Sequence, residues 1–167
     1  MSPRAAWRLE SLGFRQVYEY AAGIAVWLAF GLPSEGRDAD RPRVGQIARR
    51  DVPTCRVSDR VGDARERVDA AGWDECLVVN EQRVVLGRLR GASLKAPAET
   101  VAEEVMEPGP STVRPDEPLT RLVPRLRAKR VERIIVTTPD GRLAGIAEVE
   151  AAERALAERA HVAHDVG

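Results

Sequence analysis

The sequence predicts an α+β fold in which one unit is used twice. The first observation is the stretch from Arg130 to Glu150. Ile134 to Thr138 is a short β-branched run, the composition of a buried strand. Pro139-Asp140-Gly141 then supplies turn chemistry, and Leu143 to Val149 is apolar again, so the pair reads as a β-hairpin. Ala151, Ala152, Ala155 and Leu156 follow on one side of a helix. The second observation is that the chain repeats. An ungapped offset of 58 positions, from Gly87 to Gly145, also brings Thr54 onto Thr112, Arg56 onto Arg114, Leu77-Val78 onto Ile135-Val136 and Ile47 onto Val105. Residues 44–98 are the first copy and 99–160 the second.

Each copy is expected to hold a lead-in helix, a short strand, a helix, a hairpin and a closing helix or turn. In the first copy the short strand is Thr54–Val57. The helix runs from Asp59 to Ala70, with Ser58 as its cap and Gly72 as its stop. The hairpin joins 75–80 to 83–90 through Glu81-Gln82, and 93–95 forms a turn. In the second copy Thr100 caps the lead-in helix and Thr112–Arg114 is the short strand. The helix starts at Asp116, has Pro118 in its first turn and is interrupted or kinked at Pro124. Residues 161–167 are a tail, and the polar residues 37–43 are a linker.

Residues 1–36 read as helix, strand, helix. Pro3 sits in a first helical turn with Ser2 as cap, and Ala5, Ala6, Leu9 and Leu12 recur at helical spacing up to Gly13. Phe14 to Tyr20 alternates as a strand would, and a short helix follows from Gly23 to Phe30. So small a piece cannot bury Trp7, Phe14 and Trp27 by itself, so it is expected to dock on the repeats.

The chain has 167 residues, 44% of them hydrophobic and 31% charged, which places it among globular proteins. Lys+Arg and Asp+Glu both count 26, a balance that argues against nucleic-acid or membrane-surface partners. The most apolar run, Ala21 to Pro33, is shorter than the ~20 residues of a spanning helix. No basic–apolar–small pattern opens the chain, so a cytoplasmic location is expected. The two cysteines, Cys55 and Cys76, fall in strands and read as buried thiols. His161 and His164 have a metal-ligand spacing but lie in the tail, where a solvated end is expected. Asp59, Asp63 and Glu66 suit a helix start. No nucleophile–base or paired-carboxylate constellation stands out, so no catalytic or metal residue is assigned and the protein is read as a non-enzyme.

The strings VGQIARRDVPTCRVSDRVGDARERVDAAGWDECLVVNEQRVVLGRLRGASL and TVAEEVMEPGPSTVRPDEPLTRLVPRLRAKRVERIIVTTPDGRLAGIAEVEAAERAL resemble a tandem pair of CBS (cystathionine β-synthase) domains. The resemblance implies two β-α-β-β-α repeats joined about a pseudo-twofold axis, and a homodimer associating through helices. The apolar side of Leu119, Leu122, Val123 and Leu126 would suit that association. It implies no catalytic cofactor, but AMP, ATP or S-adenosylmethionine as a regulatory ligand between the repeats, with candidate contacts at Thr54, Cys76, Arg90, Ser93, Thr112 and Ile134. The family's Gly-apolar-apolar-Thr/Ser-x-x-Asp motif is altered twice. Arg90 and Ser93 take the hydroxyl and Asp positions after Gly87, while Glu148 and Ala151 take them after Gly145. Carboxylate in place of hydroxyl disfavours phosphate in the second cleft, whereas Arg90 suits it in the first.

Residues 1–36, SPRAAWRLESLGFRQVYEYAAGIAVWLAFGLPSEG, resemble the C-terminal end of a rhodanese domain. The cysteine-bearing loop such a domain needs does not precede them in this chain, and neither Cys55 nor Cys76 lies in the matching segment. Two readings result. One is a regulatory and interaction CBS pair that senses an adenosine-type ligand at its first cleft. The other is part of a rhodanese–CBS sulfurtransferase, inactive as given for want of that loop.

Overall fold

The computed structural model describes residues 3–18, 23, 27, 32–33, 35 and 41–165. The first helix, α1 (Pro3–Ser11), ends at Gly13, whose φ of +94° is the left-handed turn a glycine accepts. The expected cap Ser2 and most of the second helix of the arm lie outside the described residues. Phe14 to Tyr18 is irregular rather than a strand, because alternation cannot make a strand where no neighbouring chain takes up its backbone groups. Of the three aromatics expected to dock, Trp7 is 66% exposed and Phe14 is also open, as is Tyr18, while Trp27 is half-buried with its indole N–H donating to the Pro33 carbonyl at 2.8 Å.

The first repeat runs α2 (Val44–Ile47), β1 (Thr54–Cys55), α3 (Val61–Ala71), β2 (Glu75–Val79), β3 (Val85–Arg90) and a 3-10 turn at Ser93–Lys95. The second runs α4 (Ala102–Val105), β4 (Glu107–Pro108), β5 (Thr112–Val113), α5 (Leu119–Ala128), β6 (Arg133–Thr137), β7 (Leu143–Glu148) and α6 (Val149–Asp165). The strands form two sheets, β1-β2-β3-β4 and β5-β6-β7. In each, the short first strand is parallel to the second and the hairpin is antiparallel. The hairpins share a bulge at matching places, Val78/Val79 and Val136/Thr137.

Helix starts differ from expectation. α3 begins two residues late with Arg60 at its N-cap, and Val101 rather than Thr100 stands at that of α4. Asp59 is engaged by Arg67 at 2.7 Å instead. Gly72 ends α3 in the left-handed region as expected. Pro118 is the N-cap residue of α5, and the helix continues through Pro124 on its exposed side. The missing N–H there costs one helical bond, which the buried Leu119, Leu122 and Leu126 offset.

The lead-in helices cross over. The N–H of Val44 donates to Glu117 O at 3.0 Å and that of Gly45 to Pro115 O at 2.9 Å. Displaced by 58 positions, Ala102 N donates to Asp59 O at 2.8 Å and Glu103 N to Val57 O at 3.1 Å. Arg49 bridges Ile146 of β7 just as Glu107 pairs with Arg88 of β3. On the axis itself Val84 bridges Arg142, its own counterpart. The offset read from side chains is therefore a true twofold of backbone hydrogen bonds. Each repeat completes its fold with the other's lead-in, so neither core is closed alone: Val44 packs with Leu119, Leu122 and Val136, and Ile146 with Trp73 and Cys76.

The stripe expected to associate copies is interior. Leu119, Leu122 and Leu126 are buried within one chain against β6, β7 and α6, and Val123 is half-buried beside them. An amphipathic helix looks the same in sequence whether its face meets its own sheet or another molecule.

Candidate functional site

The twofold leaves a cleft of about 510 Å³ between the start of hairpin β2–β3 and the segment entering β6. Its rim is charged. Arg88 and Arg90 stand two apart on β3 and so share a face of the sheet. Arg130 and Arg133 come from the other repeat, and Glu75 and Asp74 from the head of β2; Ile134 and Val131 supply apolar wall. Arg88 Nε and Arg90 Nε both donate to the carboxylate of Glu107, at 3.0 and 3.2 Å. The Arg90 guanidinium, with Arg88, holds the Glu107 carboxyl below the ordinary range. All three side chains are partly exposed, so this pairing is a modest contribution to stability.

Of the six expected contacts, this cleft brings Arg90 and Ile134 together. Ser93 is committed to its own turn. Its hydroxyl accepts from the Arg90 N–H at 2.8 Å and donates to the Arg90 carbonyl at 3.0 Å, so it caps the strand end rather than facing a ribose. Thr54 is half-buried on β1 with its carbonyl accepting from Arg67 at 3.0 Å, and Thr112 is exposed on β5 opposite Ile135. Cys76 is fully buried beside Cys55, and the hydrogen bond between the thiols, with burial, pushes its thiol well up. It lies in the core of the first repeat, not in the cleft, because the alternation of β2 turns it inward. Sequence reading missed Arg88, Glu75, Arg133 and Glu107. Arg88 was accessible from its spacing to Arg90; Glu107 and Arg133 arrive from the other repeat and had no local signal.

Glu75 is the unusual member: 7% exposed, it keeps a carboxyl at the cleft floor. Burial pushes that carboxyl up, against Arg88 and with Asp74. The folded chain therefore binds this proton more tightly than the unfolded chain. The stability linked to it is present at low pH and lost as pH rises through the folded value. Glu75→Gln removes the loss. Thermal melts should show E75Q above the parent at pH 7, with the gap closing below about pH 4; a gap independent of pH would contradict this.

The cleft's twofold counterpart differs. Glu148 stands where Arg90 does, paired to Arg133 at 3.3 Å and to Arg49 at 4.0 Å. A smaller hollow of about 380 Å³ beside it is lined by Arg127, Glu132, Arg133, Glu148 and the start of α6. Among the described residues no His, Cys, Asp and Glu cluster is placed to hold a metal, and no helix is long and apolar enough to cross a membrane.

Residues 101–158 match the family described as CBS domain. The match covers α4 to the greater part of α6, which is the second repeat. The chain is similar in fold to solved structures, among them CBS-pair proteins. The cytosolic domain of the Mg2+ channel MgtE, in complex with ATP, has a TM-score of 0.61 at 21% identity, over 70% of this chain and 50% of that one. CBSX2 from Arabidopsis thaliana, in complex with AMP, has a TM-score of 0.60 at 22% identity, over 70% and 96%. A CBS domain pair in complex with 5-methylthioadenosine and S-adenosyl-L-methionine has a TM-score of 0.59 at 17% identity, over 71% and 98%. The chain thus spans half the length of the MgtE domain and nearly all of the two isolated pairs. No curated protein sequence matches it significantly. At these identities the likeness is one of fold: an α+β tandem CBS pair.

Proposed function

We propose that this chain is a non-catalytic regulatory module whose first cleft takes an adenosine-type ligand carrying phosphate. The observation that carries the reading is the placement of Arg88 and Arg90 on one face of β3, at the edge of a cleft walled by Ile134 and Val131. Guanidinium forks match phosphate oxygens bidentately, and an apolar wall suits a base. Glu107 now shares both arginines, so an anionic ligand competes with it or joins it. The three similar structures named above hold ATP, AMP, and S-adenosyl-L-methionine with methylthioadenosine, which supports the ligand class. The buried state of both thiols supports a non-catalytic role. A cytoplasmic homodimer completes the proposal.

Isothermal calorimetry with AMP, ATP and S-adenosylmethionine tests it. Heat is expected from AMP or ATP, and Arg90→Ala should weaken that binding about 10- to 100-fold, the worth of a charge-assisted hydrogen bond. No heat from any of the three at millimolar concentration overturns the reading.

The second reading is that residues 1–36 belong to a rhodanese-like unit. The open faces of Trp7, Phe14 and Tyr18 favour it, since they are apolar area that the CBS pair leaves uncovered. No thiol of this segment serves a persulfide step, because both cysteines lie in the first repeat.

A further inference from the structure

The twofold gives two clefts, and the chain treats them differently. Val131 lines the open one. Its counterpart by the 58-residue offset is Trp73, and the other members map likewise: Arg90 to Glu148, Arg88 to Ile146, Ile134 to Cys76. Trp73 is 8% exposed and packs on Ile146, Cys76 and Val52. Arg49, from the lead-in of the first repeat, lies over its ring at 4.3 Å from the centroid, and Arg133 at 5.8 Å. Arg49 is held there from two sides, bidentate to Asp51 at 2.6 and 3.1 Å and near Glu148. The indole N–H is buried on the side of the Asp51 carboxylate, which Arg49, helped by the indole, holds below the ordinary range. A planar heteroaromatic ring stacked under a guanidinium sits where the open cleft has only a valine.

We propose that Trp73 is an internal occupant of the second cleft, closing a base-sized site and leaving the pair with a single ligand site. The inference rests on the first-cleft reading for the word "single", but the closure of the second cleft stands on geometry alone. The chemistry of the closed site also differs. With Glu148 and Ile146 in place of Arg90 and Arg88, and with Arg133 and Arg49 drawn to the Glu148 carboxylate, it is suited to an uncharged purine nucleoside rather than to a phosphate.

The test uses Trp73→Val, which copies Val131 into the second repeat's cleft. Equilibrium dialysis with radiolabelled adenosine should give one more site per chain in W73V than in the parent, and that added site should survive Arg90→Ala. A folded W73V with the parent's adenosine stoichiometry overturns the proposal. If AMP and ATP fail on the parent while W73V still gains an adenosine site, the first-cleft reading falls and this one stands. Loss of the indole will lower the melting temperature by roughly 10 °C, so Trp73→Gly with added indole is the second arm. Indole should restore most of that loss, saturably and in W73G only. A W73G chain that saturating indole neither refolds nor raises in melting temperature overturns the proposal as well.

Discussion

Gly145→Ala should destabilise the chain by about 4 kcal/mol, from a strained backbone and an overpacked crossing together. Gly145 lies inside β7 with φ at +150°, a conformation side chains rarely adopt. A Cβ there would drive into the carbonyl oxygen of Arg49 and stand 3.1 Å from its carbonyl carbon and 3.2 Å from Ala48 Cβ. This is backbone against backbone, at the point where Arg49 exchanges bonds of 2.8 and 2.9 Å with Ile146. The methyl must either push the first repeat's lead-in off the second repeat's sheet or reshape β7. Gly87 is the control, related by the twofold. A Cβ there would meet chiefly the Met106 side chain, with Sδ at 2.6 Å, and the Glu107 carbonyl oxygen at 3.0 Å. Its φ is ordinary and methionine can move, so Gly87→Ala should cost about 1–2 kcal/mol. Urea unfolding followed by circular dichroism measures both. Since a domain holds only about 5–15 kcal/mol in total, the Gly145 variant should be partly unfolded near 37 °C. Equal losses at the two positions would mean that the backbone crossing is not what these glycines serve.

These two glycines show how far the sequence could be read. They fixed the offset, and with it the existence of two hairpins with their turns and helices, because hairpin composition and helical periodicity are local. Why the glycines are there was not legible: the chain that passes over each comes from the other repeat, about twenty residues away for Gly87 and about a hundred for Gly145. The same division runs through the site. Arg90 stood out because it breaks a local motif, and Arg88 shares its strand face. Glu107, which pairs with both, and Trp73, which fills the other cleft, acquire their roles only through the twofold. Ser93 misled for the opposite reason. A hydroxyl beside a candidate phosphate site also suits the local turn, and the backbone of Arg90, three residues away, engages it first. The N-terminal alternation from Phe14 misled because a strand needs a neighbour that only the tertiary structure supplies.

Leu122→Ala should lower stability by about 2–5 kcal/mol, a fall in melting temperature of roughly 10 °C for a chain of this size, without changing its mass in solution. Leu122 is fully buried on α5 between Leu119 and Leu126, facing Ile134 and Val136 of β6, Ala147 of β7 and Ala152 of α6. Truncation there leaves a cavity that the bulged hairpin on one side and a long helix on the other cannot readily close. The experiment separates two origins of the apolar stripe. If the stripe closes the protomer core, melting falls steeply and is the same at every protein concentration, while sedimentation gives an unchanged mass. If instead the stripe joined two copies, the variant would lose mass on dilution and its apparent stability would depend on concentration. The buried positions commit to the first outcome. A homodimer, if sedimentation of the parent shows one, must then be built on surface other than α5's leucines, and among the described residues Trp7, Leu12, Phe14, Tyr18 and Leu32 are large apolar side chains left open.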